Sequence, residues 1–112
     1  MLIDSNVFYV PTEKKVYICW QKIDGLSYRI WKKKPYTDEF IILSEGDANS
    51  YKRPRYFDND HHTELYRPET RNWISFLDDD IQSYQTYEYY IEGYNQTDNQ
   101  GYESTKTEVY IG

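Results

Sequence analysis

The segment Tyr84–Asn95 constrains the fold of this chain more than any other stretch of its sequence. From Tyr87 onward the side chains alternate with a period of two residues, as they do along the two faces of a β-strand. One face carries Tyr87, Tyr89, Ile91 and Gly93, and the other carries Glu88, Tyr90, Glu92 and Tyr94. A strand with one apolar and one charged face is typical of an antiparallel sheet that is buried on one side. The segment therefore predicts a long strand within such a sheet.

The aromatic content extends this prediction to the whole chain. Of 112 residues, 14 are Tyr, 4 are Phe and 3 are Trp, whereas alanine occurs once, at Ala48. Aromatic and β-branched residues favour strands, whereas alanine favours helices. The length is that of one domain with a modest core. We therefore predict a single all-β domain that spans residues 1–112.

The net charge of the chain is −6 and its acidic residues are dispersed along the sequence. This balance disfavours binding to nucleic acid or to an anionic membrane surface. No apolar run reaches the roughly 18 residues that a membrane span needs, and the first residues lack the features of a signal peptide. We expect the protein to stay in the producing cell or to leave it by a route other than ordinary secretion, unless the chain is a piece of a longer protein. The abundance of Tyr, Ile, Lys and Asn is typical of AT-rich coding DNA.

Six further segments have the composition and alternation of strands. They are Ile3–Val10, Val16–Trp20, Leu26–Lys32, Glu39–Ser44, Trp73–Leu77 and Glu103–Ile111. The alternation places Trp20, Tyr28 and Ile30 in the core, and it places Tyr17 and Cys19 on the opposite face of their strand. The segment between the fourth and fifth of these strands has no periodicity, so we predict a long irregular insertion around residues 46–72.

With these strands in order, the chain resembles a fibronectin type III domain, a seven-stranded antiparallel β-sandwich of about 100 residues. Trp20 lies where that family places a core tryptophan, and Ile81–Tyr87 resembles the family's turn between its fifth and sixth strands. In that turn the tyrosine hydroxyl bonds back to the turn backbone, which is the role the resemblance implies for Tyr87. The sequence departs from the family at Ser83 and Tyr84, where the family has a proline and a small residue. The core residues that the pattern and the resemblance imply are Trp20, Tyr28, Ile30, Tyr87, Tyr89 and Ile91.

No constellation in the sequence is typical of catalysis or of a cofactor site. Cys19 lies in a strand flanked by aromatic residues with no histidine nearby, which is typical of a packing residue. The acidic run Asp78–Asp80 and the segment Asp58–Glu64, which contains His61 and His62, lack the ligand spacing of calcium and zinc sites. The run Lys32–Lys34 is typical of a solvated strand end, with an anion site as the alternative. We predict a non-enzymatic protein that needs no metal and no cofactor.

The surplus of aromatic residues is the most informative feature for function. In the sandwich arrangement Trp31, Tyr90, Tyr94 and Tyr110 face outward from neighbouring strands of one sheet. Such a set is typical of the centre of a protein interface, although it also fits a cross-strand ladder or a sugar-binding surface. A second group within the predicted insertion adds cationic and aromatic side chains to the candidate contact residues: Arg53, Arg55, Tyr56 and Phe57.

These observations favour a structural or interaction module that docks on a larger protein assembly. Capsid or tail proteins of a bacteriophage are the assembly we expect, with the protein found in the virion or released by lysis. A carbohydrate-binding or adhesion module from a longer bacterial surface protein or glycoside hydrolase is the alternative. Oligomers are possible, and self-association through the aromatic surface would favour a structural subunit over a sugar-binding module. Because a fold does not fix a function, the resemblance names no partner.

Overall fold

A computed structural model of the protein describes residues 2–54, 72–95, 97 and 101–112. The described residues form nine strands in two sheets, with one short 3₁₀ helix at Ala48–Ser50 and no α-helix. The strands are β1 (Leu2–Ile3), β2 (Ser5–Val10), β3 (Lys15–Gln21), β4 (Ser27–Lys33), β5 (Ile41–Asp47), β6 (Trp73–Asp78), β7 (Thr86–Tyr94), β8 (Gly101–Ser104) and β9 (Thr107–Tyr110). The all-β prediction is confirmed, and the two sheets are compatible with a β-sandwich.

The larger sheet is built around β7, the strand that the alternating segment predicted. Its strand order is β1-β8-β7-β4-β5, and β9 also pairs with β7. Both β8 and β9 run antiparallel to β7, but their registers differ by one residue: Glu92 lies opposite Glu103, whereas Tyr87 lies opposite Val109. A one-residue shift of this kind is the signature of a β-bulge, which lies here between Ser104 and Thr107.

The smaller sheet has the order β2-β3-β6, and both of its pairings are antiparallel. Only Asp4 separates β2 from β1, which belongs to the larger sheet and pairs parallel with β8. The predicted first strand, Ile3–Val10, is therefore two strands in two sheets. The backbone carbonyl of Asp4 accepts a hydrogen bond from the Gln21 amide at 2.9 Å, which fixes the crossing point at the end of β3.

The main core contains side chains from both sheets. Trp20 on β3 packs edge-on against the rings of Tyr28 and Tyr51, with ring centroids 5.6 and 4.9 Å apart. Exposure is 5% or less for each of Trp20, Tyr28, Ile30, Tyr87, Tyr89 and Ile91. These residues alternate with polar or half-buried neighbours on β4 and β7, as expected for a sheet with one side on the core.

A second buried cluster lies on the opposite face of β3. Tyr17 and Cys19 do lie on that face, but they are buried together with Phe8 and Val10. The Phe8 and Tyr17 rings stack with centroids 5.7 Å apart. Burial raises the pKa of the Cys19 thiol to about 12, so the reactive thiolate is scarce at neutral pH. The smaller sheet therefore departs from the one-sided burial that alternation predicts.

The strand β5 differs from its predicted bounds because a β-bulge interrupts the alternation. Ile30 pairs with Ser44 and the next residue, Trp31, pairs with Ile42, so Leu43 is the extra residue. After the bulge β5 continues through Asp47, where the sequence pattern predicts an irregular insertion. The insertion prediction is thus wrong for its first residues, and residues 55–71 lie outside the described part of the chain.

Two tyrosines close loops by bonding to the backbone five residues earlier. The Tyr87 hydroxyl accepts a hydrogen bond from the Gln82 amide at 2.9 Å. The Tyr28 hydroxyl accepts one from the Ile23 amide at 2.8 Å and donates one to the Ile23 carbonyl at 3.1 Å. The bond to the turn backbone that the resemblance implies for Tyr87 is present, with the hydroxyl as the acceptor. The equivalent loop at Tyr28 was not predicted.

We expect Tyr87→Phe to lower the free energy of unfolding by about 1–3 kcal/mol, because the Gln82 amide loses its acceptor. Tyr28→Phe should cost more, since both backbone groups of Ile23 lose a partner. Tyr84→Phe is the control, because this exposed hydroxyl should change stability by less than about 0.5 kcal/mol. Urea denaturation of the three variants measures these differences. Equal stability of the Tyr87 and Tyr84 variants would contradict the structural role of the loop.

Candidate functional site

The outer side of the larger sheet carries a group of aromatic side chains in mutual contact. Trp31 on β4 and Tyr90 on β7 are register partners, and their rings stack at 6.0 Å with an angle of 7° between planes. Phe40 packs edge-on against Tyr90 at 4.9 Å. Ile42 on β5 is the register partner of Trp31 on its other side and is about half exposed. We call Trp31, Phe40, Ile42 and Tyr90 the aromatic face.

A charged row borders the aromatic face. Arg29 forms ion pairs with Glu45 on β5 and with Glu92 on β7, the latter at 3.4 Å. The indole N–H of Trp31 donates a hydrogen bond to the same Glu92 carboxylate at 3.0 Å. Glu103 on β8 is the register partner of Glu92, so three carboxylates share one row with a single arginine. The row therefore gives this side of the sheet an excess of negative charge.

The same surroundings act on the Tyr90 hydroxyl. Burial, followed by the charges of Glu103 and Glu92, raises the pKa of Tyr90 above its ordinary value. The phenol therefore remains neutral, which keeps it available as a hydrogen-bond donor. The Lys106 ammonium lies 5.5 Å from the Tyr90 centroid and 5.3 Å from the Phe40 centroid, within the range of cation–π attraction.

The structure brings together only part of the predicted contact residues. Trp31 and Tyr90 stack directly, whereas the Tyr94 ring lies under the Arg29 guanidinium at 4.0 Å. Tyr110 is opposite Thr86, which is four residues from Tyr90 and therefore about 13 Å away along the strand. Phe40 was not among the predicted contacts: the sequence pattern placed it within the predicted strand Glu39–Ser44, whereas it precedes β5 and contacts Tyr90 from a loop.

Of the contact residues predicted within the insertion, the structure describes Arg53, which lies beside the smaller sheet and not beside the aromatic face. Lys52 bridges to Ser75 on β6 of the smaller sheet, and the adjacent Arg53 lines a cleft with Tyr17 and Leu77 there. The remaining predicted contacts, Arg55, Tyr56 and Phe57, lie outside the described residues. So does the segment Asp58–Glu64 with His61 and His62.

The prediction that Lys32 belongs to a solvated strand end is wrong. Its ammonium is fully buried and lies 2.7 Å from Asp78 Oδ2, with side-chain exposures of 1% and 2% for the pair. It also donates a hydrogen bond to the Asp80 carbonyl at 2.6 Å. Lys32 continues the inward alternation of Tyr28 and Ile30 on β4, which is the sequence signal that identifies it as buried.

Asp78 is the centre of this buried network. The Tyr89 hydroxyl donates to Asp78 Oδ2 at 2.6 Å, and the Asp80 amide donates to Asp78 Oδ1 at 3.1 Å. Burial first, and then the hydrogen bond to Asp78 and its charge, raise the pKa of the Tyr89 hydroxyl. The network joins β6 of one sheet to β4 and β7 of the other. Because its charged ends are buried and paired, we interpret it as a structural link between the sheets.

Within the described ranges, no group of three or more His, Cys, Asp or Glu side chains is arranged to hold a metal ion. In the same part of the chain, no helix has the length and apolar character needed to cross a membrane. No protein-family model matches the sequence, and a search of curated proteins finds no significant match. The aromatic face and its charged border are therefore the features on which a functional proposal rests.

Proposed function

We propose that this protein is a non-enzymatic interaction module that docks on a larger protein assembly through the aromatic face. The observation that carries the proposal is the contact group of Trp31, Phe40, Ile42 and Tyr90, in which the three aromatic side chains are half-buried and Ile42 is about half exposed. Trp and Tyr are enriched among the residues that dominate binding energy at protein interfaces. Their rings are already held by stacking, so little side-chain entropy is lost on binding.

The charged border indicates what kind of protein surface would fit. Glu45, Glu92 and Glu103 outnumber Arg29 in the bordering row, and Asp47 follows on β5. A partner with an apolar centre and basic groups that meet this row would complement the arrangement, whereas Lys33 and Lys106 lie beside Phe40. Docking between two copies of this chain is disfavoured by charge repulsion, because each copy carries a net charge of −6.

We also propose that the domain is of the fibronectin type III kind. Strands β1 and β2 are consecutive but lie in different sheets, and β8 and β9 are consecutive but differ in register. Counting each of these pairs as one strand leaves seven strand segments. The buried Trp20 and the Tyr87 hydroxyl bond to its turn support this proposal. A fibronectin type III fold would support an interaction role by analogy only, because a shared fold does not determine function.

A bacteriophage particle is the assembly that we propose as the partner. A small β-sandwich with one binding face suits a subunit that decorates a capsid or tail, and the amino-acid usage fits an AT-rich genome. A genomic position among head or tail genes would support this assignment. A position inside the gene of a long exported surface protein would contradict it.

The test is co-sedimentation with particles from the producing culture on a density gradient. We expect the wild-type protein to migrate with the particles and the double variant Trp31→Ser/Tyr90→Ser to remain at the top. Leu77→Ser is the matched control, because it removes an exposed apolar side chain from the smaller sheet and should leave docking unchanged. Circular dichroism of each variant establishes that it is folded.

Two results would count against the proposal. If the wild-type protein does not co-sediment, or if the double variant co-sediments equally, the aromatic face is not the docking surface. Where the wild-type protein does co-sediment, cross-linking and mass spectrometry of the particle fraction identify the partner. An assembly other than a virion would retain the docking proposal and overturn the bacteriophage assignment.

A further inference from the structure

Two exposed tyrosines at one end of the larger sheet have a strained backbone. Tyr36, in the loop between β4 and β5, is 97% exposed with φ of 64°, and Tyr84, in the loop between β6 and β7, is 77% exposed with φ of 67°. This left-handed region costs L-residues free energy and is usually occupied by glycine or asparagine. Neither ring contributes to the core, so packing does not explain why tyrosine stands at these positions.

The two tyrosines flank the same cleft. It has a volume of about 340 Å³, in the lower part of the range for small-molecule sites. Uncharged polar groups of Thr37, Gln85 and Thr86 also line it. A smaller cavity of about 250 Å³ shares Tyr36 and Gln85 with the cleft and adds Gln82 to its lining.

Both lysines at the cleft are paired with carboxylates, and Glu108 also lines it. Lys33 forms an ion pair with Glu88 at 3.3 Å, and Lys34 lies 3.8 Å from Asp80. Paired charges give little net attraction for a strongly charged ligand. Glutamine side chains, in contrast, both donate and accept hydrogen bonds, as do hydroxyl groups. The cleft therefore combines two exposed rings with hydrogen-bonding groups suited to a neutral ligand that carries many hydroxyls.

We propose that this cleft binds a neutral saccharide, with the Tyr36 and Tyr84 rings against the sugar ring and with Gln82 and Gln85 bonded to its hydroxyls. The negative face of an aromatic ring attracts the polarised C–H groups of a pyranose. A proline-rich peptide also binds aromatic grooves, but it offers one carbonyl per residue and does not use several amide side chains. The cleft and the aromatic face have no aromatic residue in common, although Lys33 lines the cleft and lies 5.8 Å from the Phe40 ring centroid.

The test is a titration of ¹⁵N-labelled protein, followed by amide chemical shifts. The probes are maltotriose, cellotriose, mannotriose and triacetylchitotriose, each at millimolar concentration, with decaproline as the competing peptide. We expect at least one saccharide to shift the amides of Tyr36, Tyr84 and Gln85 in a saturable manner and to leave the Lys14 amide unchanged.

Tyr84→Gly is the decisive variant, because it removes the ring and also relieves the backbone strain. We expect its Tm to rise and its saccharide affinity to fall at least tenfold. Lys14→Gly is the matched control, since Lys14 has φ of 56° in the β2–β3 turn; its Tm should rise with binding unchanged. The proposal is overturned if no saccharide shifts these amides, if only decaproline does, or if Tyr84→Gly binds as well as the wild type.

Discussion

Replacing Asp78 with alanine is expected to lower the free energy of unfolding by about 3–5 kcal/mol, because it leaves the buried Lys32 ammonium without its counter-ion. The Tyr89 hydroxyl and the Asp80 amide lose their acceptor in the same change. The loss should appear as a lower urea midpoint with an unchanged m-value. Asp79→Ala is the control, since this neighbouring exposed carboxylate should matter by less than about 0.5 kcal/mol.

A second variant keeps this prediction testable if Asp78→Ala does not fold. Buried ion pairs are often replaceable by apolar residues of similar volume at little cost, because the desolvation penalty disappears with both charges. We therefore expect Lys32→Met/Asp78→Leu to be more stable than Asp78→Ala alone. A cost below about 1 kcal/mol for Asp78→Ala would mean that water reaches Lys32 and that the pair is not a closed link between the sheets.

Trp20→Ala should lower the free energy of unfolding by about 3–5 kcal/mol, as expected for truncation of a large core side chain. Trp20 is fully buried, and its ring contacts both Tyr28 and Tyr51, so the cavity would lie between the sheets. Urea denaturation, with the near-ultraviolet circular dichroism signal as a second probe, measures the loss of stability and of tertiary packing.

Trp20→Phe is the matched variant for this prediction. It retains an aromatic ring and removes an indole N–H that is buried without a hydrogen-bond partner among the described residues. It should therefore cost clearly less than the alanine variant. If the two substitutions cost the same, ring packing is not the source of the stability at this position. If neither has an effect, the inward register assigned to β3 is wrong.

The sequence predicted the structure best where the period-two alternation of side chains along a strand is uninterrupted. Strand β7 was predicted with its correct faces because its alternation runs without a break from Tyr87 to Tyr94. The outward positions of Trp31 and Tyr90 on neighbouring strands followed from that alternation, whereas the stacking of their rings was not predicted. The prediction was wrong at Lys32, where the expectation from residue type replaced the alternation: Lys32 has the inward position of Ile30, but a lysine is rarely buried unless it is paired.

Other features depended on geometry that a single sequence does not contain. The bulge at Leu43 changed which side chains of β5 share a face, so the strand appeared to end three residues early. Burial of Cys19 on the second face of β3 requires cover that strand periodicity does not reveal. The cleft between Tyr36 and Tyr84 depends on two loops that are distant in sequence and on backbone angles that residue type disfavours.

The parallel pairing of β1 with β8 has a consequence for biosynthesis. It joins Ile3 to Ser104, so β1 finds its partner only after about a hundred further residues have been synthesised. Strand β7, which pairs with three others, is also late in the sequence. Contacts between such distant residues slow folding, since the intervening chain must be closed first. The larger sheet can therefore be completed only once β8 has been synthesised, and until then its unpaired strands are open to association.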